Sequence, residues 1–148
     1  MKKKEYKEKG FVRNKYLEDL GLAPSEYGTN FLDSSDPRSK KWKKERDKYG
    51  FDQRETWCLD EMFYEWLYSR LCMYEETASK TINLSFHKFE YTPTGATESI
   101  TVTQIEAIHI VKDEAKRMIL QDDWDDHYRP FDENIMILFN DILPSLWW

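Results

Sequence analysis

Asp122, Asp123, Asp125 and Asp126 put four carboxylates into five residues, with Trp124 among them and His127 directly after. Hard cations such as Ca²⁺ or Mg²⁺ gather oxygens of this kind, but an EF-hand loop also needs an internal Gly and a distal Glu, which this run lacks. The run reads instead as a solvated acidic loop or a docking site for a basic partner, and no metal ligand is assigned to it. Glu106 and His109 stand at the E-x-x-H step by which ferritin-like bundles present two ligands from one helix. That centre needs a second E-x-x-H and two further glutamates, and no second copy occurs. Asp113 lies one helical turn beyond His109, so a structural hydrogen bond accounts for the histidine equally well. Cys58 or Cys72 with His87, His109 or His127 would supply a thiol nucleophile and its base. Neither cysteine has a small-residue elbow, and both adjoin positions of an apolar stripe, which makes them core thiols. The phosphate-cradling G-x-G-x-x-G and G-K-[ST] patterns are absent, as is the Arg-x(4–6)-His pattern of helical RNases. No catalytic residue and no cofactor is therefore assigned, and the expectation is a protein that is not an enzyme.

Two other constellations suit binding. Lys40, Lys41, Trp42, Lys43, Lys44 and Arg46 form a lysine-dense segment with an aromatic inside it. Lysines neutralise phosphates and a ring stacks on a base, so the segment is a candidate for nucleic acid. The bland alternatives are a solvated helix face or a clamp onto the chain's own acidic surface. Six Trp and nine Tyr exceed what one core of this size needs. Rings dominate interfaces as well as cores, which makes Trp124, Trp147 and Trp148 interface candidates. Against this stands a C-terminus docked into its own core; a ring-lined pocket for a nucleotide base is a third possibility.

The elements that must position these groups follow from charge and periodicity. The formal net charge is −6, but residues 1–50 carry +5 and residues 51–148 carry −11. A basic arm on an acidic body implies two surfaces with different partners, or an arm folded onto its body. The 148 residues suit one domain, and hydrophobic content of 40% with 5 Gly and 5 Pro excludes collagen-like and wholly disordered classes. No apolar stretch approaches the ~18 residues of a membrane span, and the lysines at the N-terminus precede no apolar signal core. A soluble, non-exported protein of the cytoplasm is expected. Cys58 and Cys72, fourteen residues apart in one expected helix, would be separated by about 21 Å, beyond the roughly 7 Å limit of a disulfide. Both are expected as reduced, buried thiols.

Along the chain, Lys2, Lys3, Lys4, Lys7 and Lys9 precede a short helix between Phe11 and Leu20. Breaker clusters at Gly28-Thr29-Asn30 and Asp33 to Pro37 lead into a basic helix from Arg38 to Tyr49. Asp52 with Glu55 predicts a capping box for a long helix to Thr77, its stripe made of Leu59, Met62, Phe63, Trp66, Leu67, Leu71 and Tyr74. Glu61, Glu65, Glu75 and Glu76 fall mostly on its solvated side. Ile82, Leu84 and Phe86 alternate as a strand does, and Thr92-Pro93-Thr94-Gly95 is a turn before the β-branched run Ser99 to Thr103. Thr103 with Glu106 predicts a second capping box and a helix to about Leu120, with Ile105, Ile108, Val111, Ala115, Met118 and Ile119 inward. After a loop from Asp122 to Pro130, a last helix begins near Phe131 and carries Ile135, Leu138, Phe139, Ile142 and Leu143. Pro144 ends or kinks it, leaving Ser145 to Trp148 as an apolar plug. The fold class is mainly α (α+β): three principal helices around one core with a small β-hairpin and a basic N-terminal arm. Residues 1–37 form the arm and 38–148 a single helical domain, with the hairpin as an insertion near 82–102.

The run Gly50-Phe51-Asp52, with Glu55, Trp57, Leu59 and Asp60, a long amphipathic helix and a terminal Leu146-Trp147-Trp148, resembles small uncharacterised proteins of phages and prophages of Gram-positive bacteria. The resemblance covers roughly Trp42 to Trp148 and carries no catalytic residues. It implies a phage origin and no activity; with that origin, the −11 balance after residue 50 leads to the expectation of a protein in the host cytoplasm that occupies a host surface, an inhibitor of antiviral defence, anti-CRISPR proteins being one kind, that binds a nuclease or defence effector by imitating nucleic-acid phosphates. A protein that sequesters a nucleotide signal, with the chain as a homo-oligomer, and a virion or replication-complex protein are the alternatives.

Overall fold

A computed structural model describes residues 12–24, 26–28, 36–122 and 124–148. The lysines before Phe11, Phe11 itself and most of the breaker clusters at 28–37 lie outside them, as does Asp123. The chain divides into two compact units, Met1–Glu65 and Trp66–Trp148. The sequence reading puts a boundary at 37/38; this division falls inside the long central helix.

In the first unit, Asn14 opens helix α1 (Lys15–Asp19) by accepting hydrogen bonds from the amides of Tyr16 and Leu17. That satisfies donors that the first turn leaves without an intrahelical partner. Leu17 is buried, and the hydroxyl of buried Tyr27 accepts from the Asn14 amide at 2.8 Å. Helix α2 (Ser39–Tyr49) covers the basic segment and ends where Gly50 takes a left-handed conformation at φ +82°, its amide donating to the Arg46 carbonyl. Asp52 caps a 3₁₀ turn, Gln53–Thr56, and helix α3 (Leu59–Ala78) follows. The long helix thus starts seven residues later than expected, because Asp52 caps a separate 3₁₀ turn instead.

The second unit contains the rest of α3, strands β1 (Lys88–Tyr91) and β2 (Ile100–Thr103), helix α4 (Gln104–Leu120), helix α5 (Glu133–Ile142) and a 3₁₀ turn at Leu143–Ser145. The strands pair antiparallel from Lys88↔Thr103 to Tyr91↔Ile100, across the expected Thr-Pro-Thr-Gly turn. Thr103, the last ladder residue, is also the N-cap of α4: its hydroxyl accepts from the Glu106 amide while Glu106 reaches back to the Thr103 amide at 2.7 Å. Ile82, Leu84 and Phe86 are not a strand. The carbonyls of Leu84 and His87 accept from the Ile105 and Gln104 amides at 2.9 and 3.0 Å, so this segment serves the start of α4 rather than a sheet. The core gathers Leu67, Leu71 and Ala78 of α3, Ile108, Val111 and Ala115 of α4, and Leu138 and Ile142 of α5. Ile105 and Ile119 are only half-buried.

The expected α3 stripe holds at Leu67 and Leu71 and fails at Leu59 and Trp66, which are 66% and 45% exposed. Leu59 belongs to the other unit, so one inward face need not run the helix's whole length; Trp66 shares a unit with Leu67 and Leu71, and the division does not account for its exposure. Mainly helical α+β is the fold class, with five α-helices and one two-stranded sheet among the described residues. No helix among them is long and apolar enough to cross a membrane.

Candidate functional site

The acidic loop is built outward from Arg117, in the last turn of α4. Its Nη1 donates to the Arg129 carbonyl at 3.1 Å and to Gln121 Oε1 at 2.9 Å, and its Nη2 donates to the Pro130 carbonyl at 2.9 Å. Glu114 takes the same guanidinium through Oε1, and that bond holds the arginine's proton more firmly than usual. Gln121 closes the loop's neck: its Oε1 accepts from the Arg129 amide and its Nε2 donates to the Arg129 carbonyl, each at 3.0 Å. Within the loop, Asp122 accepts from the Trp124 amide at 3.0 Å and Asp125 from the His127 amide at 2.9 Å. These are Asx turns, in which a carboxylate stands in for a backbone acceptor. The Trp124 side chain is 92% exposed. Asp122, Asp125 and Asp126 are exposed as well.

Beyond the loop, Asp132 caps α5, accepting from the amides of Asn134 and Ile135 and from the Thr94 hydroxyl of the hairpin turn. Burial opposes the Asp132 charge, yet the bonds from Thr94 and the two amides hold its carboxyl below the usual range. Helix start, hairpin turn and loop neck are thereby tied to one another through Glu114, whose Oε1 also accepts from the Asp132 amide.

The basic segment is arranged differently from its sequence reading. Lys40, Lys41, Lys43 and Lys44 are exposed, but Trp42 is 1% exposed and cannot stack on a base. The Arg38 and Arg54 guanidiniums lie 4.8 and 4.7 Å from its ring centroid, and Trp57 meets it edge-on at 6.0 Å. Arg46 is spent on Asp52 at 2.5 Å, and Arg54 grips the same carboxylate. With its side-chain amide oriented so that both groups are satisfied, Gln53 accepts from Trp42 Nε1 at 3.1 Å and Lys41 Nζ at 3.2 Å. None of Asp52, Arg54 and Gln53 suggests itself from the basic run, although an Asp two residues before an Arg is a local hint of the pair.

Trp147 and Trp148 are 67% and 63% exposed, so the last residues do not form the expected plug. Their backbone is nevertheless held: Tyr74 donates its hydroxyl hydrogen to the Trp147 carbonyl at 3.0 Å, and Gln104 reaches the Ser145 carbonyl and the Tyr74 hydroxyl, each at 3.3 Å. The main chain satisfies these inward groups and leaves the rings outside.

Glu106, His109 and Cys72, which the sequence offers for metal or thiol chemistry, are placed as follows. His109 pairs with Glu75 at 2.7 Å across α3 and α4, not with Asp113, and Lys112 takes the other Glu75 oxygen at 2.7 Å. Glu106 is occupied as a helix cap. Cys72 is buried, which pushes its thiol pKa up and makes it a poor nucleophile, whereas Cys58 is exposed rather than in a core. Glu65 is half-buried rather than solvated; desolvation raises its pKa to about 7, against the Gly28 amide that donates to it at 2.9 Å. Among the described residues no group of three or more His, Cys, Asp or Glu side chains is placed to hold a metal ion. No protein-family model, curated protein or solved structure matches the chain.

Proposed function

We propose that this chain is a non-enzymatic binding protein that docks the Trp124 loop onto a basic surface of a partner protein. The observation that carries the reading is the 92% exposure of Trp124 between exposed carboxylates, on a loop whose neck is closed by Arg117 and Gln121. A large ring held outward costs hydrophobic free energy in the unbound chain, and such rings anchor interfaces when a pocket receives them. Ordering the loop in advance lowers the entropy lost on binding. The carboxylates supply complementarity to lysines and arginines and speed encounter. Acidity supports the same direction, since residues 66–148 carry seven Lys and Arg against fourteen Asp and Glu.

In its narrower form, the partner is a nuclease or defence effector of a phage's host, whose nucleic-acid groove accepts the loop in place of phosphates. The test uses the whole chain immobilised in host lysate, beside Trp124→Ala and the double variant Asp125→Asn, Asp126→Asn. The reading expects one basic protein retained by the parent chain, released steeply with salt, and lost with both variants. Retention that ignores both variants, or that persists in molar salt, overturns it. A partner with no nucleic-acid groove overturns the narrower form alone.

A further inference from the structure

We propose that the N-terminal unit carries a second binding surface, for single-stranded nucleic acid, on which the lysines of α2 take phosphates and the rings of Trp57, Tyr49 and Phe51 stack bases. Lys41, Lys44 and Lys48 recur at steps of three and four and so run along one side of α2. Lys40, Lys44 and Lys48 are exposed, as is Lys41, whose Nζ donates to Gln53 at 3.2 Å and stands 4.0 Å from Glu45. Lys43 meets Asp47 at 2.9 Å, but that pair is 77% and 65% exposed and yields readily to a stronger anion.

Exposed rings stand at both ends of this row. At one end Trp57 is 52% exposed, with the Arg38 guanidinium 5.8 Å from its ring centroid. At the other, Tyr49 and Phe51 are 59% and 49% exposed, their centroids 6.4 Å apart, with Lys48 Nζ 4.8 Å over Tyr49. The ends are ten residues apart along the helix, about 15 Å, room for a short run of nucleotides.

Flat rings beside cations suit a strand whose bases are unstacked, because a duplex hides its base faces. Buried Trp42 has a different part: it packs against Trp57 with the two ring planes 75° apart. This surface lies wholly within residues 38–57 and does not depend on the Trp124 loop.

The test is fluorescence anisotropy of a fluorescein-labelled thymidine 20-mer, its uridine counterpart and a blunt 20-base-pair duplex, titrated with the full chain at several salt concentrations. The single strands should bind more tightly than the duplex. Lys44→Glu with Lys48→Glu should weaken binding at least tenfold and flatten the log–log salt slope by about 1.4. Trp57→Ala should weaken binding about five- to a hundredfold with little change in slope. Should Trp57→Ala fail to fold, Tyr49→Ser with Phe51→Ser carries the same expectation, and Asp125→Asn with Asp126→Asn should leave binding unchanged. Duplex binding equal to single-strand binding, displacement by polyglutamate as efficient as by thymidine 20-mer, or indifference to loss of the rings each overturns the proposal.

Discussion

Arg54 grips Asp52 with two nitrogens, Nε 2.8 Å from Oδ1 and Nη2 2.7 Å from Oδ2, and the two side chains are 1% and 0% exposed. Arg46 adds a third bond to Oδ2, so two guanidiniums share one buried carboxylate. Asp52→Ala removes the buried carboxylate that Arg54 and Arg46 share and the cap of the 3₁₀ turn, and should cost about 3–5 kcal/mol. Arg54→Met leaves Asp52 with Arg46 and should cost less. Urea unfolding followed by tryptophan fluorescence orders the two; the reverse order would deny Asp52 its central place.

Glu65 should make the stability of the N-terminal unit pH-dependent. Its folded pKa of about 7 lies above the ordinary 4.5, so the native state holds the proton more tightly than the unfolded chain. The favourable contribution is therefore complete below about pH 4.5 and is lost as pH rises to about 7. Glu65→Gln keeps an acceptor for the Gly28 amide without the charge. Its melting temperature should match the parent's near pH 5 and exceed it near pH 8; a pH-independent difference would remove this account.

The two cysteines should react at different rates. Cys58 is exposed; Cys72 is buried and its thiol is kept protonated. Maleimide labelling of the native chain followed by mass spectrometry should give one adduct at Cys58, with the second appearing only in denaturant. Rapid native labelling of Cys72 would mean that α3 opens easily there.

Arg117→Met should loosen the acidic loop while sparing most of the core. It removes the donors to the carbonyls of Arg129 and Pro130 and to Gln121 Oε1. Amide hydrogen exchange across residues 121–130 should quicken, and binding through Trp124 should weaken mainly by faster dissociation. Unchanged exchange would show that the Asx turns alone hold the loop.

Those features that a few neighbouring residues determine were legible in the sequence. Thr103 and Glu106 announce α4 because a capping box is complete within four residues. The Thr-Pro-Thr-Gly turn likewise locates the hairpin, and Arg38 to Tyr49 is a helix as expected. What the sequence hid depends on partners from elsewhere in the chain. The alternation at Ile82, Leu84 and Phe86 is real, but the carbonyls there are claimed by amides about twenty residues on. Trp42 looks like a stacking ring until Arg54 and Gln53 are seen to enclose it. Glu65 reads as a solvated charge because nothing near it in sequence reveals that the chain at Gly28 covers it.

Because Thr103 ends the β-ladder and begins α4 with no linker between, hairpin and helix share a fate. Peeling β2 away would uncap the helix, and withdrawing residues 84–87 would leave two more of its amides unanswered. The sheet, only four residues deep, therefore acts as a latch, and loosening it at Lys88 should be felt a full helix away, at the neck from which Trp124 projects.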